Sequence, residues 1–538
     1  MAQAKLVSSI LGGYQKSNIA KVCVSTSSNM YFEHQGDMAS SPAILRSIQG
    51  TETVINMPES NCRGMFRASR GHNGSPVLYA VYGAHLYLIQ EVTVPHDGIA
   101  VYAEEIGRVS NGITEPVSMC ETGGYGDAHP HLIVADGTQL YAVDTTLLAT
   151  EQRLDYKAIA LPKRSDDTFI RPSHVYYLYG YLAVLDQGTD AFVLSCQYPF
   201  EEDIYGDDIF MVHDHVVPGS GDIPAYTITG NPYGFKVYSE WSTDTTRALI
   251  GAGSYLYTFG DRSFQAFSYN DDKNFPFQSP DTAAGAIGIL APRSVATVGQ
   301  KVFWLGASDI GQFGIFEMQG STPKRISTND IEREIRHMQY PNDAVAQVWQ
   351  ENRHVFYALT FRKDNRTLVY DESEDQWHIR ASYDSNMPEC EGMWRPQYAT
   401  LAYNNLFFGT LEDNKLMILK EDKWTEYDGL QIVRRRRSGA ILADFSPFYC
   451  TALKLIINNG QVNNPDLYPK VALRYTWDGS TWSDQELATC GPMGRYDWET
   501  QWWNLGYGEV LSLEFFCSDP FDFTIISAKV QVEPSGVL

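Results

Sequence analysis

ALIGAGSYLYTFGDRSFQAFS, Ala248 to Ser268, reads as an apolar-aromatic hairpin, with alternating side chains interrupted by Gly-Ser and Gly-Asp turns. Alternation with period two places one side of each strand in a core and the other in solvent, and a Gly, Asn or Asp turn supplies the positive φ of a tight hairpin. Three earlier stretches repeat the pattern: LYAVYGAHLYLIQ (Leu78 to Gln90), HLIVADGTQLYAVD (His131 to Asp144) and VYYLYGYLAVLDQGTDAFVLS (Val175 to Ser195). Three more follow it: KVFWLGASDIGQFGIFEM (Lys301 to Met318), HVFYALTFRKDNRTLVYD (His354 to Asp371) and LAYNNLFFGTLEDNKLMIL (Leu401 to Leu419). The seven recur roughly every 45 to 70 residues. One hairpin cannot bury its own apolar face. Radial sheets of about 40 to 50 residues can, so the spacing predicts a mainly β chain folded as a β-propeller of six or seven blades.

Of the 538 residues, 43% are apolar and 13% aromatic, enough for large cores. Long apolar stripes of helical period are nearly absent. The best helix candidate is STNDIEREIRHM, Ser327 to Met338, opened by Ser or Thr ahead of acidic residues. No window reaches the roughly 18 to 20 apolar residues of a membrane span, and the N-terminus lacks a signal-peptide pattern, so the expectation is a soluble protein made in a cytoplasm, with no membrane insertion. Cys23, Cys62, Cys120, Cys196, Cys390, Cys450, Cys490 and Cys517 form no C-x-x-C pair, which predicts buried free thiols instead of a disulfide framework or zinc site.

The formal net charge is −24, from 41 Lys plus Arg against 65 Asp plus Glu. Phosphate neutralisation by basic side chains supplies most non-specific nucleic-acid affinity, so this balance argues against tight DNA binding. It is compatible with a surface that DNA passes without sticking, because like charge repels the backbone over a Debye length of about 8 to 10 Å.

Three regions are expected. Residues 1–66 are polar and poor in hairpins, an N-terminal arm or docking subdomain that packs on something else. Residues 67–430 carry the hairpins, with an Asp-, Glu-, Gly- and Pro-rich insertion near 196–247 that either hides a blade or is one. Residues 431–538 hold four or more alternating strands and predict a C-terminal β-sandwich-like module.

Candidate chemistry is sparse. His213 and His215 flank Asp214, and on a strand such i, i+2 residues share a face, but no third ligand of suitable spacing accompanies them. His129 and His131 are a second such pair. TWDGSTW, Thr476 to Trp482, is one residue shorter than the Asp-box turn of sialidase propellers, a structural lock that indicates a hairpin and no hydrolase. Acidic residues are too plentiful for spacing to single out a glycosidase pair. Phosphate-loop, nucleophile-elbow and H-E-x-x-H motifs are absent, and no cofactor is expected. The one dense basic run is Arg434, Arg435, Arg436 and Arg437. It is either a solvated linker between domains or a contact to a neighbouring subunit or DNA phosphate.

Several motifs occur together in order. DRSFQAFSYNDDKNFPFQ (Asp261 to Gln278) is followed by APRSVA, VFWLG and RISTNDIEREI within Gly285 to Ile335, then by VYDESEDQWH within Thr367 to Ser382. This series resembles the packaged-DNA stabilisation proteins of short-tailed bacteriophages. The C-terminal part resembles the last domain of the related tail nozzle proteins through Arg434 to Arg437, LRYTWDGSTWS (Leu473 to Ser483), the turn Gly491 to Trp498 and WNLGYGE (Trp503 to Glu509). The resemblance implies a virion tail protein, assembled in the host cytoplasm. It implies a homohexameric ring with a propeller, seated below the portal or head-tail adaptor ring and next to a tail tip, needle or tailspike protein. Double-stranded DNA would pass through the lumen. The family has no catalytic residues, so no enzyme is expected. The alternative expectation is a carbohydrate-binding or glycan-degrading tail propeller.

Overall fold

The computed structural model describes residues 3–16, 24–36, 41–92, 100–109, 114–123, 129–154, 161–163, 168–200, 209–211, 213–217, 219, 224–230, 236–238, 244–272, 276–280, 283–308, 311, 313–386, 392–442, 447–462 and 464–534. Each of the seven quoted hairpins falls in a different sheet, and each pairs antiparallel within it. The strand that opens each sheet lies beside the one that opens the next: Cys62–Ala68, Ser118–Glu121, Pro172–Leu178, Thr246–Ala252, Ala296–Val298, Val345–Glu351 and Pro396–Ala402. The last also lies beside the first, so the described sheets close into a ring, a β-propeller.

The hairpins are buried on both faces, not on one as the alternation predicts. Val302 and Trp304 pack with Tyr257 and Phe259 of the fourth sheet, whereas Phe303 and Leu305, on the opposite face, pack with Tyr357 and Leu359 of the sixth. The same division repeats around the ring. Tyr79 and Val81 meet Leu132 and Val134 of the second sheet, while Leu78 and Tyr82 meet Phe407 and Leu416 of the seventh. Radial packing gives every sheet two apolar neighbours, which is why the strands carry apolar residues at both parities. Near the axis the backbones converge. A Cβ on Gly251 would strike the Tyr176 ring, and one on Gly409 would strike the Cys62 sulfur, so only glycine lets these sheets approach.

The seventh sheet is completed by an N-terminal strand: Gly50–Asn56 pairs antiparallel with Lys415–Lys420. The two ends of the ring are thus held by one shared sheet. The stretch expected as an N-terminal arm is distributed over several sheets. Gln3–Leu6 and Ala43–Ser47 pair with Ile525–Pro534, and Val24–Ser28 pairs with Arg434–Arg437. Ser28 also meets Ile379 of the sixth sheet in parallel register.

Beyond the ring, two sheets face one another across a core of Leu453, Leu455, Trp502, Leu513 and Phe515, to which the N-terminal Val7, Met30 and Leu45 contribute. One contains Phe448–Ile457, Thr500–Gly508 and Ile525–Pro534; the other contains Arg434–Arg437, Lys470–Thr476 and Val510–Cys517. Most of these strands come from residues 431–538, the stretch for which a sandwich-like module is expected.

Within the 196–247 insertion the described residues form a small hairpin, His215–Val217 with Tyr226–Ile228, and Lys236–Tyr238 returns as the fourth strand of the third sheet. Residues 201–208, 212, 218, 220–223, 231–235 and 239–243 of the insertion lie outside the described residues. The helix runs Asn329–His337, with the Thr328 hydroxyl accepting from Ile331 N–H, acids in its first turn and Arg336 and His337 in its last. Cys62, Cys120, Cys196, Cys450, Cys490 and Cys517 are buried free thiols, while Cys23 and Cys390 lie outside the described residues.

Candidate functional site

Arg434–Arg437 form a central strand, paired on one side with Val24–Ser28 and on the other with Val510–Cys517. Strand alternation sends Arg434 and Arg436 to one face and Arg435 and Arg437 to the other. Arg434 is fully buried and donates to the carbonyls of Asp519 at 2.7 Å and Trp424 at 3.2 Å. Burial pulls its pKa below the ordinary guanidinium value. Arg436, equally buried, donates to the carbonyls of Ile10 at 2.7 Å and Ser9 at 3.1 Å. These two arginines tie the end of the propeller and the N-terminal segment to the sandwich.

On the opposite face Glu514 is completely buried between Arg435, at 2.7 Å, and Arg474, at 2.6 Å. Phe516 and Trp482 cover the guanidiniums, with Arg437 stacked 4.3 Å from the Trp482 ring and Arg474 4.7 Å from Phe516. Breaking such a buried pair by removing one partner costs about 3 to 5 kcal/mol, because the other charge stays enclosed. The expected contact of Arg434 to Arg437 with a neighbouring subunit or phosphate is therefore corrected for Arg434, Arg435 and Arg436. Their side chains are enclosed by their own chain and cannot reach an outside surface. Arg437 is half-buried. The linker alternative fails for the same reason, since this run is a sheet strand. Sequence gave no sign of this, because a run of four like charges ordinarily stays solvated.

His129 and His131 have different surroundings in the structure. His131 is buried, stacked 4.6 Å from the Phe200 ring, and burial lowers its pKa. His129 is exposed and pairs with Asp144 at 3.1 Å. Asp214, between His213 and His215, accepts the Gly230 N–H at 3.2 Å, and His213 is exposed. Among the described residues no group of three His, Cys, Asp or Glu side chains is placed to hold a metal. In the Thr476 to Trp482 turn, Asp478 accepts the N–H groups of Ser480 at 2.8 Å and Thr481 at 2.7 Å, which holds its carboxyl well below the usual range. That carboxylate locks a hairpin corner.

A further buried arginine, which sequence reasoning missed, immediately precedes Ala381, where the propeller meets the N-terminal Asn29. Arg380 pairs with Glu351 at 3.1 Å and is caged by Trp349, Phe356 and Trp394, each about 5 Å from its guanidinium. Its flanking segment, QWHIRAS, offered no signal beyond the Trp. Asn29, at a positive φ of 57°, locks the same junction by donating to the carbonyls of Ala381 at 2.8 Å and Val433 at 2.9 Å. A cleft of about 400 Å³ at the seam of the first and seventh sheets is lined by Arg67, His72, Gln90, Glu91, Leu401 and Tyr403.

No curated protein matches the sequence. Similar solved structures include BBS1N in complex with ARL6DN, at 11% identity over 70% of this chain and 98% of that one, with a TM-score of 0.36. A putative 6-phosphogluconolactonase from Bacteroides uniformis is similar at 11% identity over 70% and 95%, with a TM-score of 0.35. The extracellular domain of the putative hybrid two-component system BT4673 from B. thetaiotaomicron matches at 10% identity over 92% and 62%, with a TM-score of 0.38. Likeness at this level carries no functional argument. Residues 226–423, which hold the fourth, fifth and sixth sheets and three strands of the seventh, match the phage stabilisation family described as bacteriophage P22 Gp10, beta-propeller, and this match supports a bacteriophage structural protein involved in DNA stabilisation.

Proposed function

We propose that the chain is a tail hub or nozzle protein: a homohexameric ring below the portal and its adaptor that extends the DNA channel and helps retain the packaged genome until ejection. The observation that carries this reading is the family match over residues 226–423, together with the nozzle-like motifs of the C-terminal module. Tail-tip, needle or tailspike proteins would dock on the far side. The role is structural, without catalysis, and the turn that prompted a sugar-directed alternative is a hairpin lock around Asp478.

Charge supports the channel. Among the described residues six arginines are buried (Arg63, Arg366, Arg380, Arg434, Arg435, Arg436) against six carboxylates (Asp186, Glu332, Glu351, Asp371, Glu426, Glu514). Among the described residues burial therefore removes the two signs equally and leaves their acidic balance unchanged. Six copies around a lumen would present a repulsive wall to the DNA backbone, leaving retention to steric fit and to partners. Titrating purified protein against duplex DNA at rising salt tests this. Weak binding with a shallow salt slope is expected; tight binding at physiological salt with a steep slope contradicts the acidic channel.

A further inference from the structure

His354 opens the second strand of the sixth sheet, His354–Phe361, and its imidazole is buried where the hairpin of Met30–His34 with Ala43–Ser47 meets that sheet. The ring lies parallel to Phe356 at 5.7 Å and takes the Tyr31 ring edge-on at 4.9 Å. Its two nitrogens face carboxylates from the two sides of this seam. Nδ1 meets Asp371 Oδ2, on the next strand of the same sheet, at 2.7 Å, and Nε2 lies 4.0 Å from Glu33 Oε2 on the hairpin. Asp371 is buried and also accepts the Ser373 N–H at 3.1 Å. An ionised carboxylate only accepts, so Nδ1 keeps its proton whether the ring is charged or neutral. The proton that comes and goes is the one on Nε2, between propeller and hairpin.

Charged and titratable groups reach this ring from every element packed against it. Glu33 is held by Arg46 of the adjoining strand at 2.7 Å. Glu374, in the turn after Asp371, accepts the His34 N–H at 3.2 Å. Glu351, opposite His354 on the opening strand, pairs with the enclosed Arg380 at 3.1 Å. Burial, with Arg380 and His354 itself, pushes the pKa of His378 well below the ordinary value, and burial raises that of the Tyr31 phenol, so both stay neutral. With Glu351 and Arg380 cancelling, the carboxylates of Asp371, Glu33 and Glu374 face the single guanidinium of Arg46. An imidazolium offsets part of that negative excess. A neutral ring leaves it whole and turns the Nε2 lone pair toward Glu33. Burial disfavours the charged ring, but the hydrogen bond and charge of Asp371, then the charges of Glu33 and Glu374, outweigh it and hold the pKa above the ordinary value.

We propose that the proton on His354 Nε2 is a clasp between the sixth sheet of the propeller and the N-terminal hairpin, closed when the ring is charged and loosened when it is neutral. The hairpin also pairs with the C-terminal sheets, Leu45 opposite Ile525, so opening the clasp weakens one of the propeller's ties to them. Loosening is partial, because Asn352 donates to the Tyr31 hydroxyl at 3.3 Å and the Asn29 N–H to the Ile379 carbonyl at 2.8 Å at any pH. The device is independent of the tail-ring reading, since it needs only the single folded chain. A histidine whose pKa rises on folding stabilises the fold fully below its unfolded value of about 6.5 and loses that contribution as the pH climbs through the raised one.

Hydrogen exchange of the full chain, read by mass spectrometry at about pH 5.5 and about pH 8.5 and corrected for the base catalysis of exchange itself, tests the clasp. Expected at the higher pH is a loss of protection of about tenfold in Met30–His34 and Ala43–Ser47, beyond any change in Thr246–Ala252 of the fourth sheet. His354→Gln should give the looser hairpin at both pH values, and Glu33→Gln should move the step to lower pH. A wild-type hairpin whose protection tracks the fourth sheet between the two pH values overturns the proposal, as does a step that survives His354→Gln. Should that variant not fold, a step left in place by Glu33→Gln overturns it.

Discussion

Glu426 shows how one enclosed side chain sets the pH response of the fold. It is 1% exposed and accepts from the Ser382 hydroxyl at 3.0 Å through Oε1, with the Trp394 side chain as a second hydrogen-bond partner. Burial raises its pKa from 4.5 to about 7, against the opposing pull of Ser382 and Arg395. An acid raised in this way binds its proton more tightly in the folded chain than in the unfolded one. Its penalty to stability is absent below about pH 4.5, grows as the pH rises, and is complete above about pH 7. At about 1.4 kcal/mol per unit this amounts to roughly 3 kcal/mol. Glu426→Gln should therefore raise Tm at pH 8 and leave it nearly unchanged at pH 4.5; an equal effect at both values, read by scanning calorimetry, contradicts the assignment. Nothing in the sequence marks Glu426, because its burial arises from the strand Gly50–Asn56 and the segment beyond the seventh sheet meeting there, with the Thr51 hydroxyl oxygen accepting the Tyr427 N–H at 3.2 Å.

At the scale of elements, the hairpins were legible and their partners were not. Ala248 to Ser268 announces itself through alternation and turn residues, both local properties, and the structure places it on three consecutive strands of one sheet. The helix was equally legible through Thr328 and its acidic first turn. Long-range pairing was hidden. Gly50–Asn56 carries Thr, Glu and Val in an ordinary polar context, yet it completes a sheet with residues some 360 positions away. The arginine run misled because charge density suggests solvent, whereas Glu514, Trp482 and backbone carbonyls supplied by distant segments satisfy it inside. These pairings make the N-terminal strands part of the fold. Deleting residues 1–56 should abolish cooperative unfolding, because the seventh sheet loses its outer strand and the sandwich loses Val7, Met30 and Leu45 from its core. An independent arm predicts instead a truncated chain that melts as sharply as the full one, and circular dichroism melts of both chains separate the two outcomes.

At the scale of the whole molecule, N-terminal strands knit a ring of sheets to the C-terminal sheets in a chain of acidic balance. A propeller alone is shared by enzymes, binders and scaffolds. What narrows it here is the phage stabilisation match over residues 226–423, on a chain whose conspicuous histidines, arginines and Asp478 serve hydrogen bonds and packing. Closed rings of identical subunits need two different complementary faces on each chain. The central claim is a sixfold tail ring, and a cryo-electron microscopy reconstruction of the virion's tail vertex measures it directly. The account predicts six copies of this chain around the DNA channel, immediately below the portal and its adaptor. A tail vertex lacking the chain, or holding it only as single copies away from the channel, contradicts it.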